Sequence, residues 1–322
     1  MLALSLVLAS GCALPFVKKN TGTKWADGVM MRIGDEQIDY REGLVYIDAT
    51  KRDYEKYYGS GIWSFVKDEE GGTLGGTVKE QILDEMIYIK IVCARAEELH
   101  VSLTGDELRA VDEQTDNYMK NVLSQDLIEK KVNRDIIRKI YSDNMLARKV
   151  FEQATLNIDT NIPNEEAGQH HLYTIAVRNY KIGASGEKEK YSGQEKEDML
   201  GRMENLRKNA LAAEDFLAYA AKVTEDDSML DMYAGPGDLD KGIEDRVLSL
   251  NDGEMSEVLE TEDYLYIFYC KSSFDVDKTL EKKEEIIAER QAKAFESFYA
   301  SWRENTGVEI NHDVWDNMGF EG

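Results

Sequence analysis

The sequence predicts an α+β protein, mostly helical in its first half and again near its end, with strands gathered between. Three observations carry this. Only 3 of the 322 residues are proline, so helical runs can be long and unbroken. Capping signatures stand ahead of several segments with helical periodicity. Finally, Asn161-Ile162-Pro163-Asn164 punctuates the chain, and apolar runs of strand length appear beyond it. The length suits two domains, each with its own core.

In chain order, residues 2–8 are apolar and Ala9-Ser10-Gly11-Cys12 follows. That run is too short to span a bilayer. Val29-Met30-Met31-Arg32-Ile33, a Gly34-Asp35-Glu36 turn and Gln37-Ile38 form the pattern of a small hairpin. Asp39 with Glu42 opens a helix, and Tyr46, Tyr54, Tyr57, Tyr58 and Trp63 follow. Gly71, Gly72, Gly75 and Gly76 read as a flexible loop. Thr77 with Glu80 then caps a helix expected to reach about Leu99. Its apolar residues Ile82, Leu83, Met86, Ile87, Ile89, Val92, Cys93 and Ala96 cover so much circumference that it should be largely buried.

The clearest local signal is Leu103-Thr104-Gly105-Asp106-Glu107-Leu108, a capping box with its hydrophobic staple. Another helix should run from Asn133 to about Thr155. Residues 171–177 and 264–270 read as strands, and residues 194–211 as an amphipathic helix. A long helix over residues 278–304 carries Ile287, Ala294, Phe295, Phe298 and Trp302 as its stripe. Gly307 stops it, and Val308-Glu309-Ile310 reads as a closing strand.

Hydrophobic residues make up 42% and charged residues 32%, with a formal net charge of -24. Such a surface repels nucleic-acid phosphates and anionic headgroups, so neither is an expected ligand of the folded body. Cys93 and Cys270 lie far apart with apolar neighbours and read as buried free thiols. No cysteine–histidine spacing suggests zinc, and no phosphate loop or nucleophile–base motif appears, so no cofactor or metal is expected.

Two resemblances follow from these residues. Small residues directly before Cys12, after an apolar run, resemble a bacterial lipobox. Residues 28–155 resemble the N-terminal domain of the SurA and PrsA foldases. The matching string is the hairpin, the acid-capped helix, Tyr58-Gly59 to Trp63, the buried helix ending in Ala96-Glu97-Glu98-Leu99, and Leu103-Thr104 with Glu107. Residues 166–274 resemble a parvulin (rotamase) domain. There the match runs through the His-Leu-Tyr strand, Glu214-Asp215-Phe216, Thr224-Glu225-Asp226, Gly237-Asp238-Leu239 and Leu250-Asn251-Asp252-Gly253-Glu254-Met255-Ser256.

The resemblance implies a signal peptide (1–11), a lipid-anchor linker (12–27), a helical chaperone domain (28–163) and an inserted parvulin-like domain (164–275). A C-terminal helix and strand (276–322) would return to complete the first domain. Cys12 would be lipidated, anchoring the protein outside a bacterial cell membrane. Its partners would be unfolded secreted polypeptides, and the anchor its only membrane contact. Carried over residue by residue, the isomerase site becomes His171 (or His170, one residue earlier), Asp226, Leu239 for the family's methionine, Ile243 for its phenylalanine and Tyr266 for its second histidine. Leucine for methionine keeps volume, isoleucine removes the ring that stacks on proline, and tyrosine breaks the histidine pair. Weak or absent isomerase activity is the expectation, beside a holding function. A competent prolyl isomerase and a non-chaperone lipoprotein on the same fold are the alternatives.

Overall fold

The structure is a computed structural model that describes residues 24–66 and 72–320. The apolar start, Cys12 and Gly71 lie outside the described residues. The chain forms two compact units, one running to Ile158 and resuming at Gln291, the other comprising Asp159–Arg290. The fold class is α+β.

In the first unit, strands β1 (Val29–Ile33) and β2 (Glu36–Asp39) form an antiparallel hairpin. Helix α1 (Tyr40–Tyr58) begins at Asp39, whose side chain accepts from the Arg41 amide. Glu42 does not close the expected capping box. Its carboxylate is buried against Lys90 Nζ at 2.6 Å, and Asp143 meets the same nitrogen at 2.5 Å. Burial alone would lower the Lys90 pKa, but Asp143 and Glu42 outweigh it and raise it, so the ammonium stays charged.

A 3-10 turn (Ser60–Ser64) leads to helix α2 (Leu74–Cys93). This helix starts four residues earlier than the sequence suggests. Thr73 is the cap, accepting from the Gly76 amide, while the Thr77 hydroxyl only donates back to the Thr73 carbonyl. Gly75 and Gly76 therefore lie in the first helical turn. The helix also ends earlier, because its last turns tighten to i→i+3 bonds and His100 takes a left-handed conformation. Its Met86, Ile87, Ile89, Ile91 and Val92 are buried, as an all-round apolar helix requires. Helices α3 (Gly105–Asn121), α4 (Gln125–Glu129) and α5 (Arg134–Ala154) follow; α5 packs on α2, α3 on α5 and α4 on α1. The Thr104–Glu107 box is complete, and Asn133 caps α5 through the Ile136 amide.

The second unit opens with the single turn α6 (Asn164–Ala167). Strand β3 (His170–Arg178), a small hairpin of β4 (Tyr180–Ile182) and β5 (Lys188–Lys190), and helices α7 (Gln194–Leu211) and α8 (Phe216–Val223) follow. Next come β6 (Asp231–Ala234), α9 (Glu244–Leu248), β7 (Leu259–Glu260) and β8 (Tyr264–Ser272). Four strands form an antiparallel sheet in the order β6-β3-β8-β7. Ile175, Val177, Leu265 and Ile267 pack one face with α7 and α8. Leu172, Ala176, Tyr266, Phe268 and Cys270 pack the other with Leu239, Ile243 and Val247.

Helix α10 (Val276–Glu304) ends within the first unit and is followed by β9 (Val308–Ile310) and the single turn α11 (His312–Trp315). Strand β9 pairs with β1, giving the sheet order β2-β1-β9. The expected stripe of α10 is only partly inward. Phe295 lies in the core against Tyr88 and Phe151, whereas Phe298 is exposed and stacks on Trp302. Cys93 and Cys270 are free thiols.

Candidate functional site

Asp226 is set in place by its own turn. The Thr224 hydroxyl accepts from the Ala176 amide of β3 and donates to the Asp226 carbonyl. The Asp226 carboxylate accepts from the Ser228 amide and from the Tyr264 hydroxyl. The Ser228 bonds are the main cause that lowers its pKa, so it is ionised at neutral pH. Leu239 and Ile243 sit on a loop built by carboxylates. Asp238 accepts from the Gly235 amide, and Glu244 accepts from the amides of Gly237 and Leu239. Gly237 has φ +89°, a conformation that favours glycine.

Tyr266 projects from β8 toward Leu239 and Ile243, with ring centroids 5.7 Å from Tyr264 and 5.5 Å from Phe268. Burial first, then Tyr264 and the charges of Asp226, Asp263 and Asp240, push the phenol up to about 12. It remains an O–H donor at neutral pH. Four of the five candidate residues (Asp226, Leu239, Ile243 and Tyr266) thus gather on one side of the sheet. Exposure is 9% for Leu239, 2% for Ile243 and 8% for Tyr266, so these side chains are spent on packing and offer a ligand little surface.

His171 lies elsewhere. Its Nε2 is 2.7 Å from Asp231, and its ring stacks on Tyr233 (4.4 Å) and meets the edge of Tyr173 (5.2 Å). Tyr173 packs on the opposite face of the sheet, with Phe216 and Tyr269. His170 turns the other way, toward Leu248 and Asp252. Burial lowers its pKa against the backbone bond at Leu248 and the Asp252 charge, and its Nδ1 is buried without a hydrogen-bond partner. A β-bulge at His171/Leu172 accompanies this arrangement. Tyr264 was missed in the sequence, although it stands two residues before Tyr266 and so shares its face. Asp231 and Tyr233 left no usable signal, because their strand is short and polar. Among the described residues, no group of His, Cys, Asp and Glu side chains could hold a metal ion.

A second surface belongs to the helical unit. Tyr57, Tyr58, Phe65 and Val66 are all more than half exposed around Trp63, which is itself buried. Among the described residues no helix is long and apolar enough to cross a membrane.

No protein-family model matches the chain. The foldase protein PrsA of Clostridium botulinum strain Loch Maree is 22% identical over 96% of this chain and 96% of its own length. That of strain 657 is 23% identical over 96% and 95%. The crystal structure of the PrsA peptidylprolyl isomerase from Bacillus cereus is 18% identical, covering 79% of this chain and 91% of that one, with a TM-score of 0.36. The fold assignment therefore rests on the elements described above. From end to end, the sequence of this chain is similar to the PrsA foldases.

Proposed function

We propose that this protein is an extracytoplasmic foldase, held to a membrane by a lipid on Cys12, that binds unfolded secreted polypeptides and has weak or absent prolyl isomerase activity. The end-to-end likeness to PrsA foldases supports the foldase reading. The exposed aromatic residues of the helical unit supply the apolar surface that unfolded chains bind. In this reading the helical unit does the holding, and Asp159–Arg290 is a parvulin-like insertion.

One observation carries the weak-isomerase reading. The side chains that would grip a proline ring are buried in their own core, and the histidine assigned to them lies against Asp231 and Tyr233. Rotation about a prolyl amide has to cross a barrier of about 18–20 kcal/mol. Lowering it takes a dry wall for the ring and donors aimed at the twisted amide. Here Asp226 keeps the expected polar group, and the Tyr266 hydroxyl stands in for the expected second histidine, beside a wall that is largely closed.

The test pairs two assays on one preparation. Suppression of aggregation of a reduced, unfolded client is expected, with prolyl isomerisation of a short peptide close to the uncatalysed rate. Isomerisation as fast as an ordinary parvulin's, abolished by Asp226→Ala, would establish the competent-isomerase alternative. No protection of any client would leave a binding lipoprotein.

A further inference from the structure

The helical unit packs the closing segment of its own chain into its core. Trp315, Met318 and Phe320 are 4%, 9% and 5% exposed, although their segment has only the one turn of α11 as regular structure. Two glycines make the room. A Cβ on Gly75 would stand 2.9 Å from the Trp63 carbonyl and 3.6 Å from the Phe320 ring, and one on Gly43 would stand 3.0 Å from the Met318 methyl. Phe320 lies flat on Trp63, with centroids 3.8 Å apart and planes 7° apart. Trp63 is oriented by donation from its Nε1 to Glu55. Lys79 lies over the Trp315 ring and donates to the Asp316 carbonyl.

The segment is held by packing more than by hydrogen bonds. Asn311 is tied to β1 through Met30 and Val29. Beyond it, the backbone bonds of Val314, Trp315, Asp316 and Met318 close on the segment itself. The rest is side-chain packing and the Lys79 contact. From Trp63 the aromatic surface runs outward through Tyr54 to Tyr58 and Tyr57, which are exposed.

The geometry points to a peptide-binding groove whose resident occupant is the chain's own residues 312–320. Its external ligand is an extended, unfolded segment with two aromatic residues flanking methionine, spaced as Trp315, Met318 and Phe320 are. The resident serves as a gate. It lowers the apparent affinity for outside ligands by the fraction of time the groove is vacant, so only segments that match its spacing displace it. This rests on the proposed holding function for the natural ligand alone; the groove and its occupant stand without it.

The test uses a synthetic peptide of residues 311–320 added to the full chain. Amide hydrogen exchange at residues 315–320 is expected to rise as the peptide displaces the resident. Phe320→Ala, confirmed folded by its melting curve, should bind the labelled peptide at least about a hundredfold more tightly than the parent. A peptide with serine at both aromatic positions should do neither. Unchanged exchange at saturating peptide overturns the proposal, whatever the variant does. A reduced client separates the two readings. Client protection with residues 315–320 unmoved removes the groove from the holding function and overturns its role as gate. Displacement by the peptide, with no client protected, keeps the groove and refutes the foldase reading.

Discussion

In the proposed site, Tyr266 stands where the resemblance implies an imidazole, and burial and nearby carboxylates push this phenol up to about 12. It can donate a hydrogen bond but cannot exchange protons with a partner near neutral pH. At Ile243 the proposed site has a branched aliphatic side chain where the resemblance implies a ring. Restoring both, with Tyr266→His and Ile243→Phe, should raise kcat/KM for a proline peptide about tenfold or more, equivalent to about 1.4 kcal/mol of transition-state stabilisation. The larger ring must enter a packed site, so stability should fall by about 1–3 kcal/mol. Client protection should stay the same. A double variant as inactive as its parent would show that the closed wall, not these two side chains, limits the reaction. Glu85 makes a separate prediction, because burial pushes its carboxyl up to about 7 from an ordinary 4.5. Below the ordinary value both folded and unfolded chains hold the proton. Between 4.5 and 7 the unfolded chain ionises while the folded chain retains the proton, so stability falls as pH rises through this window. Glu85→Gln should therefore be more stable than the parent at pH 8 and indistinguishable near pH 4.5. Urea titrations at the two pH values decide this, and a pH-independent difference would reject it.

The elements differ in how much of themselves they disclosed. The starts of helices α3 and α5 were readable to the residue, because Thr104 with Glu107 and Asn133 are local devices whose partners lie three residues away. The start of α2 was not. Gly75 looks like a loop residue, but it is required where the helix passes the Trp63 carbonyl, a constraint that exists only in three dimensions. Likewise Glu42 has the spacing of a capping partner, yet the buried ammonium of Lys90 takes its carboxylate. The hairpin β4–β5 and strand β6 escaped because their sequences are polar and show little alternation. For the candidate site, resemblance named the residues and the fold gathers four of them. The facing of His170 and His171 could not be read, since adjacent histidines at a bulge leave period-two reasoning without a register. The closing elements make a prediction at this scale. Removing residues 291–322 takes β9 from its sheet and Phe295, Trp315 and Phe320 from the core. At about 3–5 kcal/mol for each buried aromatic side chain, this is comparable to the whole stability of an ordinary domain. The truncated protein should show no cooperative unfolding transition by circular dichroism, and a sharp transition would contradict the packing described.

For the whole molecule, the division into units makes an excision the natural experiment. Arg290 Nη1 lies 3.5 Å from the Asp159 carbonyl, so the two ends of the Asp159–Arg290 unit are close together. Joining Ile158 to Gln291 through a short Gly-Ser linker should leave a cooperatively folding helical unit that still protects clients. Loss of folding in that product would argue that the units depend on one another. Anchoring is tested separately: Cys12→Ala should move the protein from the membrane fraction to the medium, and membrane retention of the variant would refute the lipid anchor. The β1–β9 pairing has a further consequence, in time rather than in space. Ile33 meets Val308, so the three-stranded sheet cannot close until almost the entire described chain has emerged. At about 5–20 residues per second of synthesis, the leading hairpin waits tens of seconds with one edge unpaired. The Asp159–Arg290 unit, one continuous stretch, can finish during that interval. A protein proposed to shelter nascent exported chains thus spends its own birth as one, and would itself be a client of whatever meets it first outside the membrane.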